Sequence, residues 1–179
     1  MKENLEYKPW EEYPEFWKTE AMFWSYIRGG LRRGLWEKSP IKIDYKRQLL
    51  QKPPEGYTGR AKSGAVCALT GEWTGNSKLQ VDHIEGNVPL RSFEDLVKFI
   101  IHLVPPKNSI QLVEKEAHKV KSYAERMGVS FERALATKSV IAIEKDKEKV
   151  LQWFTERDIV PESNSPKRRI QMVNHLMRD

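Results

Sequence analysis

A chain of 179 residues with one cysteine, Cys67, can build neither a disulfide framework nor a zinc site made of cysteines alone. Its fold must be held by a hydrophobic core. At this length one good core with appended helices is expected, rather than two domains of typical size. Any metal has to be held by His, Asp, Glu or Asn. Apolar residues make up 39% of the chain and charged residues 31%, the balance of a rather polar globular protein and not of a disordered one. No apolar run approaches the roughly 20 residues that cross a bilayer, and MKENLEYKPWEEYPEF lacks the apolar centre of a signal peptide. A cytoplasmic location without a membrane partner is the expectation.

The formal charge of +6 and the isoelectric point near 9.3 favour a polyanionic partner, and the charge is concentrated. Between Arg28 and Lys62 ten basic residues face three acids, the kind of segment that tracks a nucleic-acid backbone, although a solvated basic face reads the same way. Arg28, Arg32 and Arg33 open this segment. Ahead of it, Trp10, Trp17 and Trp24 recur every seven residues, about two helical turns, with Phe16, Phe23 and Tyr26 beside them. This aromatic stripe predicts core packing of an N-terminal helix or helical hairpin more than a base-stacking platform.

Glycine and proline punctuation in KPPEGYTG predicts a loop over residues 52 to 64. AVCALTGEWTGNSKLQVDHI then alternates apolar runs with Thr-Gly and Gly-Asn turns, which predicts a hairpin or two short strands. SFEDLVKFIIHLV has helical spacing of Phe93, Leu96, Phe99, Ile100 and Leu103, with Ser92 as the expected N-cap, and Pro105-Pro106 ends it. NSIQLV is a strand candidate, followed by the polar helix EKEAHKVKSYAERM that Gly128 stops. Beyond it lie a short helix opening at Ser130, a longer one around EKDKEKVLQWFTERD, and a last one after Pro166.

Chemistry concentrates at LQVDHI. Asp82 and His83 end one strand, and His118 lies in the first turns of the helix after the next. An aspartate and a neutral imidazole are competent ligands for a divalent ion, and an adjacent imidazole that binds no metal could take a proton from water near neutral pH. An acid-histidine pair also ends strands by accident. His102 and His175, inside amphipathic helices, read as surface or packing residues.

The segments CALTGEW, LQVDHI and NSIQLVEKEAHKVKS resemble the HNH nuclease family, most closely the HNH proteins encoded by bacteriophages, over roughly residues 60 to 127. The resemblance implies an α+β, mostly helical fold, with a ββα-metal core of short hairpin and helix flanked by N- and C-terminal helices. It divides the chain into a Trp-rich basic region (1–59), the core with an inserted helix (60–128) and C-terminal helices (129–179), all in one compact unit. It implies His83 as general base, Asp82 and His118 as metal ligands, and Asn108 as the middle residue that orients the base through its backbone neighbourhood. Lys121 and its neighbour Lys119 would meet DNA phosphate. The implied ion is Mg²⁺, with Mn²⁺, Ni²⁺ or Zn²⁺ as substitutes.

Two departures qualify the match. Relatives carry paired Cys-x-x-Cys knuckles for a structural zinc; here they read CALT and EKEA, so no structural zinc is expected, and packing around Cys67, Leu69, Trp73 and Leu112 must hold the hairpin. Glu114 takes one lost cysteine position, four residues before His118, where a helix would put both on one face. The strand register also places Ser109 where Asn is usual, with Asn108 one residue earlier and Asn87 as the fallback. The expected function is a metal-dependent endonuclease acting on double-stranded DNA in the host bacterial cytoplasm. The alternative is a catalytically silent module of the same fold that binds DNA or a phage or host protein.

Overall fold

The computed structural model describes residues 7–86 and 88–178. Asn87, the fallback for the middle asparagine, therefore lies outside the described residues. The chain is α+β and 54% helical, with two small antiparallel sheets of two strands each. It forms two compact units, Met1–Glu114 and Lys115–Asp179. The boundary falls inside the segment that the sequence groups as one core, between its last strand and the helix that follows.

The first unit opens with α1 (Pro9–Glu12) and α2 (Glu20–Leu31), whose N-cap Thr19 accepts from the Met22 N–H. The tryptophan repeat does not ride one helix. Trp10 belongs to α1, Trp17 to the connection and Trp24 to α2, yet all three reach one aromatic cluster with Phe23 at its centre. That cluster buries Phe23, Trp24, Leu90, Phe99 and Leu103. At its C-terminal end α2 runs into a π-helical turn, Arg32–Trp36, closed by the Glu37 N–H donating to the Arg32 carbonyl at 3.0 Å. The helix α3 (Pro40–Leu49) follows, with Ser39 as its N-cap and Pro40 at the first helical position.

The apolar runs pair differently from the simplest hairpin reading. β1 (Gly64–Val66) pairs with β2 (Trp73–Gly75) through a turn in which Gly71 adopts φ 71°, a conformation that glycine takes without steric cost. β3 (Leu79–His83) pairs instead with the distant β4 (Ile110–Glu114). Between them lies α4 (Leu96–Leu103), three residues shorter at its start than the amphipathic pattern predicts. Ser92 does not cap it. Asp95 occupies the cap position, and its carboxylate turns back to accept from the Arg91 and Ser92 N–H groups at 2.8 and 3.2 Å. Apolar periodicity marks which residues face inward and does not fix where the hydrogen-bond ladder begins.

Leu79, Val81, Ile110 and Leu112 form a second core with Ala65, covered by Trp36, Ile41, Tyr45 and Leu50. Cys67 is fully buried beside it, and the Glu114 N–H donates to its Sγ at 3.2 Å. Burial pushes this thiol's pKa up, but hydrogen bonds from Thr70 and from the Glu114, Leu69 and Thr70 N–H groups bring it below the ordinary value. The β1–β2 turn is thereby tied to the end of β4.

The second unit contains α5 (Lys115–Met127), stopped at Gly128 with φ 63°, then α6 (Phe131–Glu144), α7 (Lys147–Thr155) and α8 (Ser165–Leu176). Ser130, Asp146 and Asn164 cap the last three with side-chain hydrogen bonds. The helix at Ser130 is 14 residues and not short, because Ala134, Ala136 and Val140 keep its inner face apolar to the end. Trp153, Phe154, Met172 and Val173 form this unit's core with Ala136 and Val140.

Phe99, with no exposed surface, holds α4 in the aromatic core. Phe99→Ala is expected to cost about 3–5 kcal/mol in urea unfolding, whereas Val97→Ala, on the same helix but 69% exposed, should change stability by less than about 0.5 kcal/mol.

Candidate functional site

In a strand successive side chains point to opposite faces, and β3 obeys this. Its register with β4 sets Val81 against Leu112 and His83 against Ile110 on the face that carries the second core, while Asp82 opposes Gln111 on the other face. The adjacent acid and imidazole are thus separated by the pleat. Asp82 is buried, 9% exposed, and Gln111 Nε2 donates to its Oδ2 at 3.4 Å.

His83 is half-buried between two flat rings. The indole of Trp36 stacks on it with centroids 4.0 Å apart and 29° between planes. The imidazole of His102 stacks at 3.9 Å and 22°. In the ring plane, His83 Nε2 lies 2.7 Å from the backbone carbonyl oxygen of His102. A carbonyl can only accept, so Nε2 carries the proton, and in the neutral ring the lone pair belongs to Nδ1.

The punctuation of α4 explains why that carbonyl is available. The last carbonyls of a helix have no partner within it. The residue four beyond His102 is Pro106, which has no N–H to offer, and the one four beyond Ile101 is Pro105. Val104 N–H turns back to the Ile100 and Ile101 carbonyls. The His102 carbonyl is satisfied by the His83 ring.

Burial is the main reason that the pKa of His83 is held down, to about 4. The neighbouring His102 and the guanidinium of Arg32 push it the same way, and the His102 carbonyl and Asp82 only partly oppose them. Lys42 adds a further cation to the stack, with Nζ 4.6 Å from the centre of the Trp36 ring, and burial lowers its own pKa.

His83 opens onto a cavity of about 330 Å³, lined also by Glu85, Ile101, His102, Pro105 and Asn108. Asn108 sits in the 3₁₀ turn Lys107–Ser109, and Lys107 pins that turn to α3 through Asp44 Oδ2 at 2.6 Å and Gln48 Oε1 at 3.1 Å. The structure therefore brings the two expected catalytic residues, His83 and Asn108, to one cavity. The carbonyl that His83 Nε2 meets is that of His102. A larger cavity of about 470 Å³ in the second unit, among α6, α7 and α8, is lined mainly by apolar residues such as Val150, Phe154 and Met172, and its acid Glu144 is tied to Arg169 at 2.6 Å.

The remaining candidates divide. Arg32 and Arg33 are exposed on the π-helical turn. Arg28 is half-buried and donates through Nη2 to the Leu90 carbonyl at 2.9 Å, which makes it a brace of the aromatic core. His118 lies on α5, and so do Lys119, paired with Glu116 at 2.7 Å, and Lys121, paired with Glu125 at 3.0 Å. The side chain of Lys121 is only 13% exposed. Glu114 ends β4 and does not open α5, so the helical i, i+4 relation expected between it and His118 is not formed. Among the described residues no three His, Cys, Asp or Glu side chains gather into a group that could hold a metal ion.

His102 and Trp36 are the residues that sequence reading missed. Pro106, four residues after His102, was the signal that this carbonyl has no helical N–H to accept from. Nothing in the order of residues marks Trp36 as the lid on His83.

Compared with known proteins, the chain matches no family model, no curated protein and no solved structure.

Because the folded pKa of His83 lies near 4 and the unfolded value near 6.5, the unfolded state takes up the proton first as pH falls. This site's contribution to stability is complete above pH 6.5 and is lost as pH falls through 4. Urea midpoints measured from pH 7.5 to 4 should decline more steeply for the wild type than for His83→Gln, which has no imidazole to titrate.

Proposed function

We propose that the protein is a metal-dependent endonuclease of HNH type, which hydrolyses phosphodiester bonds in double-stranded DNA with His83 as the general base. The observation that carries this reading is the placement of His83: an imidazole that burial keeps neutral at physiological pH, with Nε2 on the His102 carbonyl, at a cavity it lines together with Asn108. A base of this kind accepts a proton from water as the oxygen attacks phosphorus. Its low pKa weakens it as a base and keeps it deprotonated from neutral pH down to about 5, so availability is gained at the expense of driving force.

The chain order supports the family resemblance: β3, then β4 antiparallel to it, then α5 directly after Glu114. Asp82 presents a buried carboxylate, an oxygen ligand of the kind that divalent cations take. Asp82 and His118 would hold a divalent ion, Mg²⁺ first, which when bound supplies positive charge to the phosphate and its leaving oxygen. Asp82 stands in the first unit and His118 in the second, and their pairing as ligands is carried by the sequence resemblance alone. Arg32 and Arg33, exposed beside the base, supply phosphate contacts whose strength falls with salt.

A specific observation favours the second reading, a silent module docked to a protein. Val97 and Ile101 on α4 and Val104 at its C-cap leave an apolar stripe exposed next to the cavity, at 69%, 64% and 45%. Plasmid nicking separates the two. The endonuclease converts supercoiled DNA in Mg²⁺ or Mn²⁺ and stops in EDTA, and His83→Ala lowers the rate at least roughly 10²-fold while DNA binding, followed by gel shift, is retained. Loss of no supercoiled DNA at any divalent ion, or near-normal cleavage by His83→Ala, would overturn the proposal.

A further inference from the structure

We propose that Trp36 is a positioning residue for His83: the π-helical turn at the end of α2 exists to lay its indole on one face of the imidazole, so that the ring is held flat between Trp36 and His102 with Nε2 aimed at the His102 carbonyl. The inference rests on reading His83 as the base.

Three observations converge on this arrangement. The first is local. An α-helix continued through Arg32–Trp36 would turn 100° per residue, and the i+5 bond from Glu37 to Arg32 inserts one extra residue into the turn. Single π turns inside helices are uncommon and recur at functional sites, because the added residue swings a side chain out of the helical register. Here the side chain at the end of the turn is Trp36.

The second is geometric. A histidine side chain in a strand has two torsions to fix. Stacking at 4.0 and 3.9 Å on both faces fixes the ring plane, and the 2.7 Å contact to the His102 carbonyl fixes rotation within that plane. Either alone leaves the ring a degree of freedom. Together they define which nitrogen bears the proton and where the other one points, and a base misplaced by about 1 Å loses roughly 10²-fold in rate.

The third is packing. Trp36 lies against both cores of the first unit, the aromatic one and the one built on β3 and β4. It is therefore anchored independently of His83. Lys42 also sits over the indole, and this ammonium and the ring attract each other through the ring's electron-rich face. The clamp is built on rigid elements: Trp36 from the end of α2, Lys42 from α3 and His102 from α4.

The test has two arms, one of which does not use catalysis. In the ¹H–¹⁵N spectrum of the wild type at pH 7, a clamped ring should show an observable, slowly exchanging Nε2 proton for His83, with nuclear Overhauser contacts to the Trp36 indole. Trp36→Met, which fills the space with a flexible apolar chain, should lose that resonance, and Trp36→Phe, which keeps a flat ring, should retain it. In nicking assays Trp36→Met should lower kcat roughly 10²-fold with KM changed less than about twofold, and Trp36→Phe should recover most of the rate. A wild type without the protected Nε2 proton, or a folded Trp36→Met that keeps the proton or the wild-type kcat, overturns the positioning role. Should Trp36→Met not fold, the wild-type spectrum and Trp36→Phe decide. If the wild type shows no nicking while the protected proton and its loss are seen, the endonuclease reading fails and the clamp stands.

Discussion

The first unit depends on the pairing of β3 with β4. These strands are short, and β3 ends 27 residues before β4 begins, so closing them costs loop entropy before any contact returns it. What offsets that cost is apolar burial on one face, where Leu79, Val81, Ile110 and Leu112 meet, each no more than 5% exposed. Because the side-chain period of a strand is two, this burial also fixes the register, and the register decides that His83 shares the core face while Asp82 faces away. A slip of one residue would exchange them. The same four aliphatic side chains that stabilise the ribbon therefore assign the two polar residues at its end to different surroundings, and no interaction between those two residues is needed for it.

Much of this was legible from the residues. Apolar runs located β1, β3 and β4, while β2 arose from Trp73–Gly75 in the stretch read as turns; Ser130 marked its helix start through a cap, and Gly128 marked a stop with a left-handed backbone. That His83 and Asn108 line one cavity agrees with their common place in the motif. Three things were not legible, each for a physical reason. Strand partners are chosen by burial across distant segments, so LQVDH gave no local sign that it would leave the nearby β2 for β4. The start of α4 was set by the Asp95 carboxylate engaging the Arg91 and Ser92 N–H groups, a competition that periodicity does not see. And the tryptophan repeat reached its cluster from three separate segments, because aromatic burial rewards meeting in space whatever the path of the chain.

The basic character of the chain also reads differently with side chains in place. Arg28 braces a core carbonyl, Lys46 donates to the Asn76 and Leu79 carbonyls, and Lys107 holds a turn to α3. Between Arg28 and Lys62 the excess of cations thus includes structural members that hold backbone oxygens in place, and it overstates the charge on offer to a polyanion. Arg32 and Arg33 keep their exposure and stand on the turn that delivers Trp36. Charge counted along a sequence measures long-range attraction; what contacts a phosphate depends on which cations the fold has already spent.

Position 102 joins two functions that substitution separates. Its ring stacks on His83 and belongs to the side chain; its carbonyl accepts the hydrogen bond from His83 Nε2 and belongs to every amino acid alike. Exchange of the residue can therefore probe the stacking while leaving the acceptor in place, and an alanine scan would record only half of what the position does. The acceptor is encoded elsewhere, in Pro106, whose missing N–H keeps that oxygen from being drawn back into the helix. Restoring an N–H at 106 would offer the oxygen a rival partner, so the histidine's orientation can be edited through a residue other than the two rings that stack on it.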